Sequence, residues 1–421
     1  MKIIWLLILL LIVNGLTANV FVLNTVSQTI SKIDLTNGTV NNAFAYTGLF
    51  PNKMATTDEY IYLTNSGDNN IRKIRIETGA TILNIQLESY SNPYDILISD
   101  NYAYVTGMLT NKVYKIDLNT DSTVAELSVG VAPLGITAYN GLLYVANSGY
   151  QYPSYLPGEL TVIDLDTFSV LTTIAVPLSP YRMLVDNEGL LHLVCSGNYD
   201  DVWGEIALID TNTLQVIDNI PLTFYPTNIV MTPGNRVYVA NAFGGGLFAY
   251  DLPDLEIVHD DDNLFSEGGS ALAVDSERLW IADAGDFNSN SVISVYDLTE
   301  NLLTNYQTAL GAVDIAFKPV ATTVTDNIII PPIPMLSCYP NPFQNYTEIR
   351  YNNPSDHASR ELSISIYNLK GQKVRELSTS YGSISWNGKD MSGNRCRPGV
   401  YLLKIVDDEG FSQTGKITLI R

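Results

Sequence analysis

Few residues in this sequence could do chemistry. The three histidines are His192, His259 and His357. His192 stands in a strand column whose other members are mostly tyrosine, so it reads as a packed ring. His259 opens the acidic stretch His259-Asp260-Asp261-Asp262 and reads as part of a solvated turn, while His357 falls in a loop near the C-terminus. No Ser–His–Asp set, zinc-spaced cluster or phosphate-cradling glycine loop can be assembled from them, and Gly244-Gly245-Gly246 reads as a flexible loop. For calcium, Asp283, Asp286, Asn288 and Asn290 offer the oxygen ligands a hard cation requires. Ser291 stands where a calcium loop takes glycine, so a polar loop is the favoured reading and no other cofactor is expected. Recognition has better material. The segment Ser148–Glu159 carries Tyr150, Tyr152 and Tyr155, and Ser196–Glu205 carries Tyr199, Asp200, Asp201 and Trp203. Tyr181 and Arg182 lie between them in sequence.

The elements that position these residues repeat. Tyr62-Leu63-Thr64-Asn65, Tyr104-Val105-Thr106-Gly107, Tyr144-Val145-Ala146-Asn147 and Tyr238-Val239-Ala240-Asn241 share one pattern, and runs starting at Phe21, His192 and Trp280 fall in its register. These starts are 40–48 residues apart, a period that signals repeated supersecondary units. A second column reads Asp34, Arg75, Asp117, Asp164, Asp210, Asp251 and Asp297, mostly an Asp that ends a strand and bonds its own turn. A third reads Pro51, Pro93, Pro133, Pro180 and Pro226, with Gly269 and Ala312 as looser members. Three positions on from each comes an apolar residue, from Met54 to Ile315. Each repeat thus holds four short strands, the content of one propeller blade. The last repeat, ending near Phe317, lacks its Tyr-Val-Ala-Asn strand, and Asn19–Thr25 at the other end supplies one. The fold class expected is all-β, a seven-bladed propeller over 19–318. In such a blade the connection into the Pro-column strand and the one leaving the Tyr-Val-Ala-Asn strand share a face. The two aromatic segments, Tyr181 and Arg182 are therefore expected on one side of neighbouring blades, as a platform for a glycan or a protein ligand. The bland alternative is that the rings only pack their own loops.

Bulk properties narrow the partners. The 421 residues carry 44 acids against 23 Lys and Arg, a formal charge of −21; such a surface repels phosphate backbones, so no nucleic acid is expected. Lys2, the apolar run Ile3–Val13 and the small residue Ala18 before Asn19 read as a secretory signal peptide over 1–18. The run is shorter than the roughly 20 residues a bilayer needs, so the mature chain is not expected to span a membrane. Of the three cysteines, Cys338 and Cys396 share the C-terminal region, and a disulfide between them is an open alternative to free thiols.

Beyond Lys318 the repeat stops, and the proline-rich 319–335 reads as a linker. Alternating apolar residues in Ser363–Tyr367 and Val400–Val406, with Gly and Asn turns between, read as a small antiparallel sandwich over 336–421. The repeats resemble the YVTN family of bacterial surface and secreted propellers. The Tyr339-Pro340-Asn341-Pro342-Phe343 opening, the Trp386-Asn387-Gly388 turn and the Gly399-Val400-Tyr401 strand resemble the C-terminal sorting domain of the type IX secretion system, similar to the immunoglobulin-like module of flagellar hook-capping proteins. That resemblance implies passage through the periplasm, contact with the secretion machinery, and a secreted or cell-surface location. Propellers host many activities. A non-enzymatic binding or scaffold protein is the favoured reading; a hydrolase or lyase, or a calcium-stiffened structural protein, are the alternatives.

Overall fold

The computed structural model describes residues 19–242, 245–260, 262–318 and 335–420, less 340, 342, 353–361, 369, 380–382 and 408–411. His357 and Gly244 lie outside the described residues, as do the leader and most of the linker. The chain divides into two compact units, separating in sequence between 321 and 322.

The first unit is a seven-bladed propeller. Of its seven four-stranded antiparallel sheets, six run inner to outer in chain order. Blade 1 starts on inner strand Pro51–Thr56, blade 2 on Pro93–Ser99, blade 3 on Pro133–Tyr139 and blade 4 on Pro180–Val185. Blade 5 starts on Pro226–Met231, blade 6 on Ala271–Val274 and blade 7 on Ala312–Phe317. Each inner strand packs on the next, and Ala312–Phe317 returns to Pro51–Thr56 to close the ring. Blade 7 is joined from both ends of the unit. Asn19–Asn24 pairs antiparallel with Ala312–Phe317, with Val22 opposite Ile315. Thr29–Asp34 and Thr39–Tyr46 complete that sheet. Closure leaves the inner strands without a free edge.

The sequence columns each perform a physical task. The second strand of every blade is buried on both faces, which is why it reads as an unbroken apolar run. Where its fifth residue is threonine, the hydroxyl ties blade to blade: Thr64 Oγ1 donates to Tyr94 O at 3.1 Å and Thr106 Oγ1 to Leu134 O at 2.8 Å. The terminal asparagine is buried and bonded. Asn65 Oδ1 accepts the Gly48 amide at 2.9 Å, and Asn147 Nδ2 donates to Thr161 Oγ1 at 2.8 Å. The Asp column caps the turns on the opposite face, as when Asp34 accepts Thr36 N at 2.9 Å and Asp117 accepts Asn119 N at 2.8 Å. Asp251 differs, forming a two-pronged pair with Arg236 at 2.7 and 2.9 Å.

The second unit is a sandwich of a three-stranded and a four-stranded antiparallel sheet. Trp386 sits fully buried at its centre, with Phe343 and Tyr401 ring centroids 5.4 and 5.2 Å away. Asn341 of the Pro-Asn-Pro opening reaches the last strand, donating to Lys416 O at 3.0 Å and accepting Thr418 N at 2.8 Å. Cys338 and Cys396 are both free thiols. Each packs against the apolar core, and burial pushes the Cys338 thiol up to about 12.

Candidate functional site

The face on which the inner strands begin differs from its opposite. Among the described residues of the propeller, the strongly exposed large hydrophobic side chains carried on loops belong to it, including Leu49, Phe50, Tyr90, Leu109 and Phe287. The opposite face is made of Asp-capped polar turns. We call the apolar side the upper face.

Its aromatic centre lies over blades 3 to 5. Tyr150–Gln151 and Ser154–Tyr155 form a two-stranded hairpin, which sets the Tyr150 and Tyr155 rings 5.2 Å apart. Tyr152 stands at its tip, almost fully exposed. In the next loop Asn198 organises the backbone, accepting the amides of Asp200 and Val202 at 3.0 and 2.9 Å. That turn places Tyr199 and Trp203 against Tyr225, each with its ring centroid 5.0 Å from the Tyr225 ring. The Trp203 and Tyr225 planes meet at 23°, and Tyr225 is anchored by donating to Asp200 O at 2.9 Å. Trp203 keeps 53% of its surface exposed, although a ring of that size gains by burial. Burial raises the Tyr199 hydroxyl, with Tyr181 and Tyr155 close enough to add to the shift.

Tyr181 links this cluster to the central channel. The inner strands of blades 1 to 5 bulge after their first residue. Tyr181 OH meets Tyr94 OH of blade 2 at 2.6 Å. Arg182 does not join the platform; it turns into the channel and donates from Nη1 to Asp95 Oδ2 at 2.8 Å. Burial works against its charge, but Asp95, with Tyr181, Tyr94 and Asp314 beyond, holds its pKa above the usual arginine value. Blade 3 makes room with Gly135, where a Cβ would fall 2.0 Å from Tyr181 O. Lys53 and Asp314 pair across blades 1 and 7 at 2.6 Å.

Of the sequence candidates, Tyr150 packs with Tyr155, Tyr199 and Trp203 pack on Tyr225, Tyr181 pairs with Tyr94, and Tyr152 is exposed at the hairpin tip. Arg182 is corrected to a channel residue, because its side chain leaves the strand toward Asp95. Tyr225, Tyr94 and Asp95 were not singled out. Tyr94 shares the column of Tyr181, one after the proline, and that column was the available signal; Tyr225 stands before the Pro226 column with no marker.

The other candidates lie elsewhere. His192 is fully buried, with Nδ1 2.7 Å from Tyr250 OH and Nε2 3.6 Å from Asp186. Burial lowers its pKa, opposed by Asp186. His259 is no solvated turn. It ends strand Glu256–His259, packs on Phe265, and sets Nε2 3.1 Å from both carboxylate oxygens of Glu300. Arg236 and Tyr238 also donate to Glu300, at 2.8 and 2.7 Å, locking blade 5 to blade 6. In the calcium-like loop, Asp283 accepts Gly285 N at 2.8 Å, and Asp286 accepts Asn288 N and Ser289 N at 3.0 and 3.1 Å. Asn288 donates to Asp286 O at 3.1 Å, no partner of the exposed Asn290 stands out, and Ser291 is buried, accepting the amides of Gly311 and Ala312. No group of three or more His, Cys, Asp or Glu gathers among the described residues.

Residues 337–420 match the secretion system C-terminal sorting domain. The protein is exported. The route is type IX secretion, and the destination is the cell surface or the extracellular space. No helix among the described residues is long and apolar enough to cross a membrane. No curated protein matches the chain. Among solved structures, it is similar to hydrazine synthase of Kuenenia stuttgartiensis, at 16% identity and TM-score 0.51, over 63% of this chain and 88% of that one. It is also similar to a functionally unknown protein from Desulfotomaculum acetoxidans, at 14% identity and TM-score 0.54, over 71% and 98% of the two chains. At these identities the likeness speaks for the fold alone.

Proposed function

We propose that this exported propeller is a non-enzymatic binding protein of the YVTN type, which holds an extracellular glycan on the ring cluster of its upper face. One observation carries the reading: Tyr199 and Trp203 each pack a ring 5.0 Å from Tyr225 and still stay 43% and 53% exposed. Flat, rigid rings present apolar area at little rotamer cost, which suits stacking against the C–H face of a sugar. The neighbouring Asp200 and Asp201 are exposed acceptors for hydroxyl groups.

Binding is favoured over catalysis by where the titratable pairs lie. The histidine–carboxylate contacts among the described residues are His192–Asp186 and His259–Glu300, neither of them in the ring cluster. Glu205, whose carboxyl is raised by burial, closes the same loop as Trp203 and forms no ion pair among the described residues.

The test is a glycan-array screen of the mature protein, followed by isotherms for Trp203→Ala and Tyr199→Ala. Each truncation should weaken the best glycan by about 1–3 kcal/mol while leaving the melting temperature in place, since neither ring belongs to a blade column. Lost stability with unchanged affinity would show that the rings only pack their loops.

A further inference from the structure

The last strand of the sorting unit lies at a sheet edge. Ser412–Leu419 is the outermost member of the four-stranded sheet and pairs along one side with Gly399–Asp407, Thr418 standing opposite Val400. Alternate residues of such a strand turn their N–H and C=O groups outward, and an unpaired row of them is a template for another chain. Here part of the row is taken by the segment Asn341–Phe343. The Phe343 backbone takes it as a parallel strand would. Its N–H donates to Thr418 O at 2.9 Å and its carbonyl accepts the Ile420 amide at 2.8 Å, on either side of Leu419. Two residues earlier along both segments, a side chain repeats the pattern. Asn341 Nδ2 donates to Lys416 O at 3.0 Å and Oδ1 accepts the Thr418 amide at 2.8 Å, on either side of Ile417. The carboxamide stands in for a peptide group, beside two residues, Pro340 and Pro342, that have no N–H to offer.

We propose that this segment is an edge guard: Asn341 and Phe343 occupy the outward groups between Lys416 and Ile420, so that a second copy of this chain cannot add its own last strand there. The guarded stretch is the adhesive one. Ile417, Thr418 and Ile420 are β-branched, Leu419 is apolar and no acid stands among them, the composition that favours strand-on-strand association. Ser412-Gln413-Thr414-Gly415, by contrast, is polar and ends in glycine. With the guard in place, the open edge is confined to that short polar half. Identical edges pair antiparallel about a two-fold axis, which makes a second copy the occupant of a strand left bare. The guard is fastened from the core. Phe343 is buried with its ring centroid 5.4 Å from that of Trp386, and Arg395 Nη2 donates to Gln344 O at 2.6 Å. Its prolines offer no donors to a further strand, so the guard does not become a new adhesive edge.

The experiment is sedimentation velocity of the mature protein and its Asn341→Ala variant over a range of concentrations, beside hydrogen exchange of the C-terminal peptide read by mass spectrometry. Asn341→Ala frees Lys416 O and the Thr418 amide and joins them to the polar half as one open edge. The unaltered protein should show the same exchange at every concentration. The variant should shift from monomer towards dimer and larger species as concentration rises. Its last strand should lose protection when dilute and regain it when associated. Adding Lys416→Pro should return the variant to monomer. The Lys416 N–H points outward like that of Thr418, so proline there blocks a new strand without breaking the pairing with Gly399–Asp407. A folded Asn341→Ala variant that matches the unaltered protein in mass at every concentration overturns the guard, as does association that Lys416→Pro leaves untouched. Asn341→Ser, whose shorter side chain cannot span both groups, serves if the alanine variant unfolds. If the serine variant unfolds too, the segment is a folding element of the sandwich and the guard is overturned.

Discussion

Phe21→Ala tests whether the ring depends on its seam. Phe21 lies at the centre of Asn19–Asn24, is fully buried, and packs with Leu23, Ile30, Met54, Ile61 and Leu63 across blades 7 and 1. Its ring centroid is 5.5 Å from that of Phe44. Removing a buried phenylalanine costs about 3–5 kcal/mol, from lost transfer energy and the cavity left behind. The melting entropy of about 300 propeller residues, near 2.1 cal/mol/K each, is roughly 0.63 kcal/mol/K, so the midpoint should fall by about 5–8 °C. Differential scanning calorimetry of the mature protein reads this directly. Tyr90→Ala, on an exposed upper loop, is the control and should move the midpoint by less than about 1 °C, the scale of a surface change. Equal midpoints for Phe21→Ala and the unaltered protein would refute the closure, because a strand outside the ring would leave the blades untouched.

Other outcomes follow from particular contacts. Gly135→Ala should destabilise by about 1–3 kcal/mol, read by denaturant titration, since its Cβ would meet Tyr181 O at 2.0 Å. Asp251 is held below its ordinary pKa by Arg236, and Glu300, despite partial burial, is lowered by Tyr238, His259 and Arg236. Their stabilisation is present above the ordinary carboxylate values near 4 and lost as pH falls through the lower folded values; Arg236→Gln should flatten that acid limb in pH-dependent melts. His192, lowered by burial, should titrate in NMR below the ordinary histidine value of about 6.5, with its stabilising contribution present above that value and lost on acidification. Removing residues 336–421 should leave the propeller in the periplasm of a host with type IX machinery, and equal surface display with and without them would contradict the sorting role.

Much of the fold was legible because a propeller writes the same physical requirements seven times. The doubly buried second strand had to be an apolar run, the inner strands of blades 1 to 5 began at proline, and five of the Asp-column residues (Asp34, Asp117, Asp164, Asp210 and Asp297) bond their own turns. Closure was legible because the last repeat lacked a strand that the N-terminus carried. The site was legible only in part. The alternation of loops between the two faces placed Tyr199, Trp203 and Tyr155 on one face. It also placed Arg182 there, whose side chain instead reaches Asp95 of blade 2. Tyr225 was missed because its partners come from a loop in another blade, a contact with no sequence period. His259 was misread because its acidic neighbours suggested solvent, whereas its partner Glu300 is contributed by the adjacent blade.

Tryptophan quenching tests the binding face most directly. Among the described residues, Trp280 and Trp386 are buried and Trp203 is 53% exposed, so acrylamide reports on the ring cluster in the mature protein without any substitution. A saturating glycan taken from the array should protect the quenchable fraction almost completely, as the sugar covers the outer face of Trp203. A glycan that binds with calorimetric saturation and leaves the quenching curve unchanged would contradict the assignment of this face.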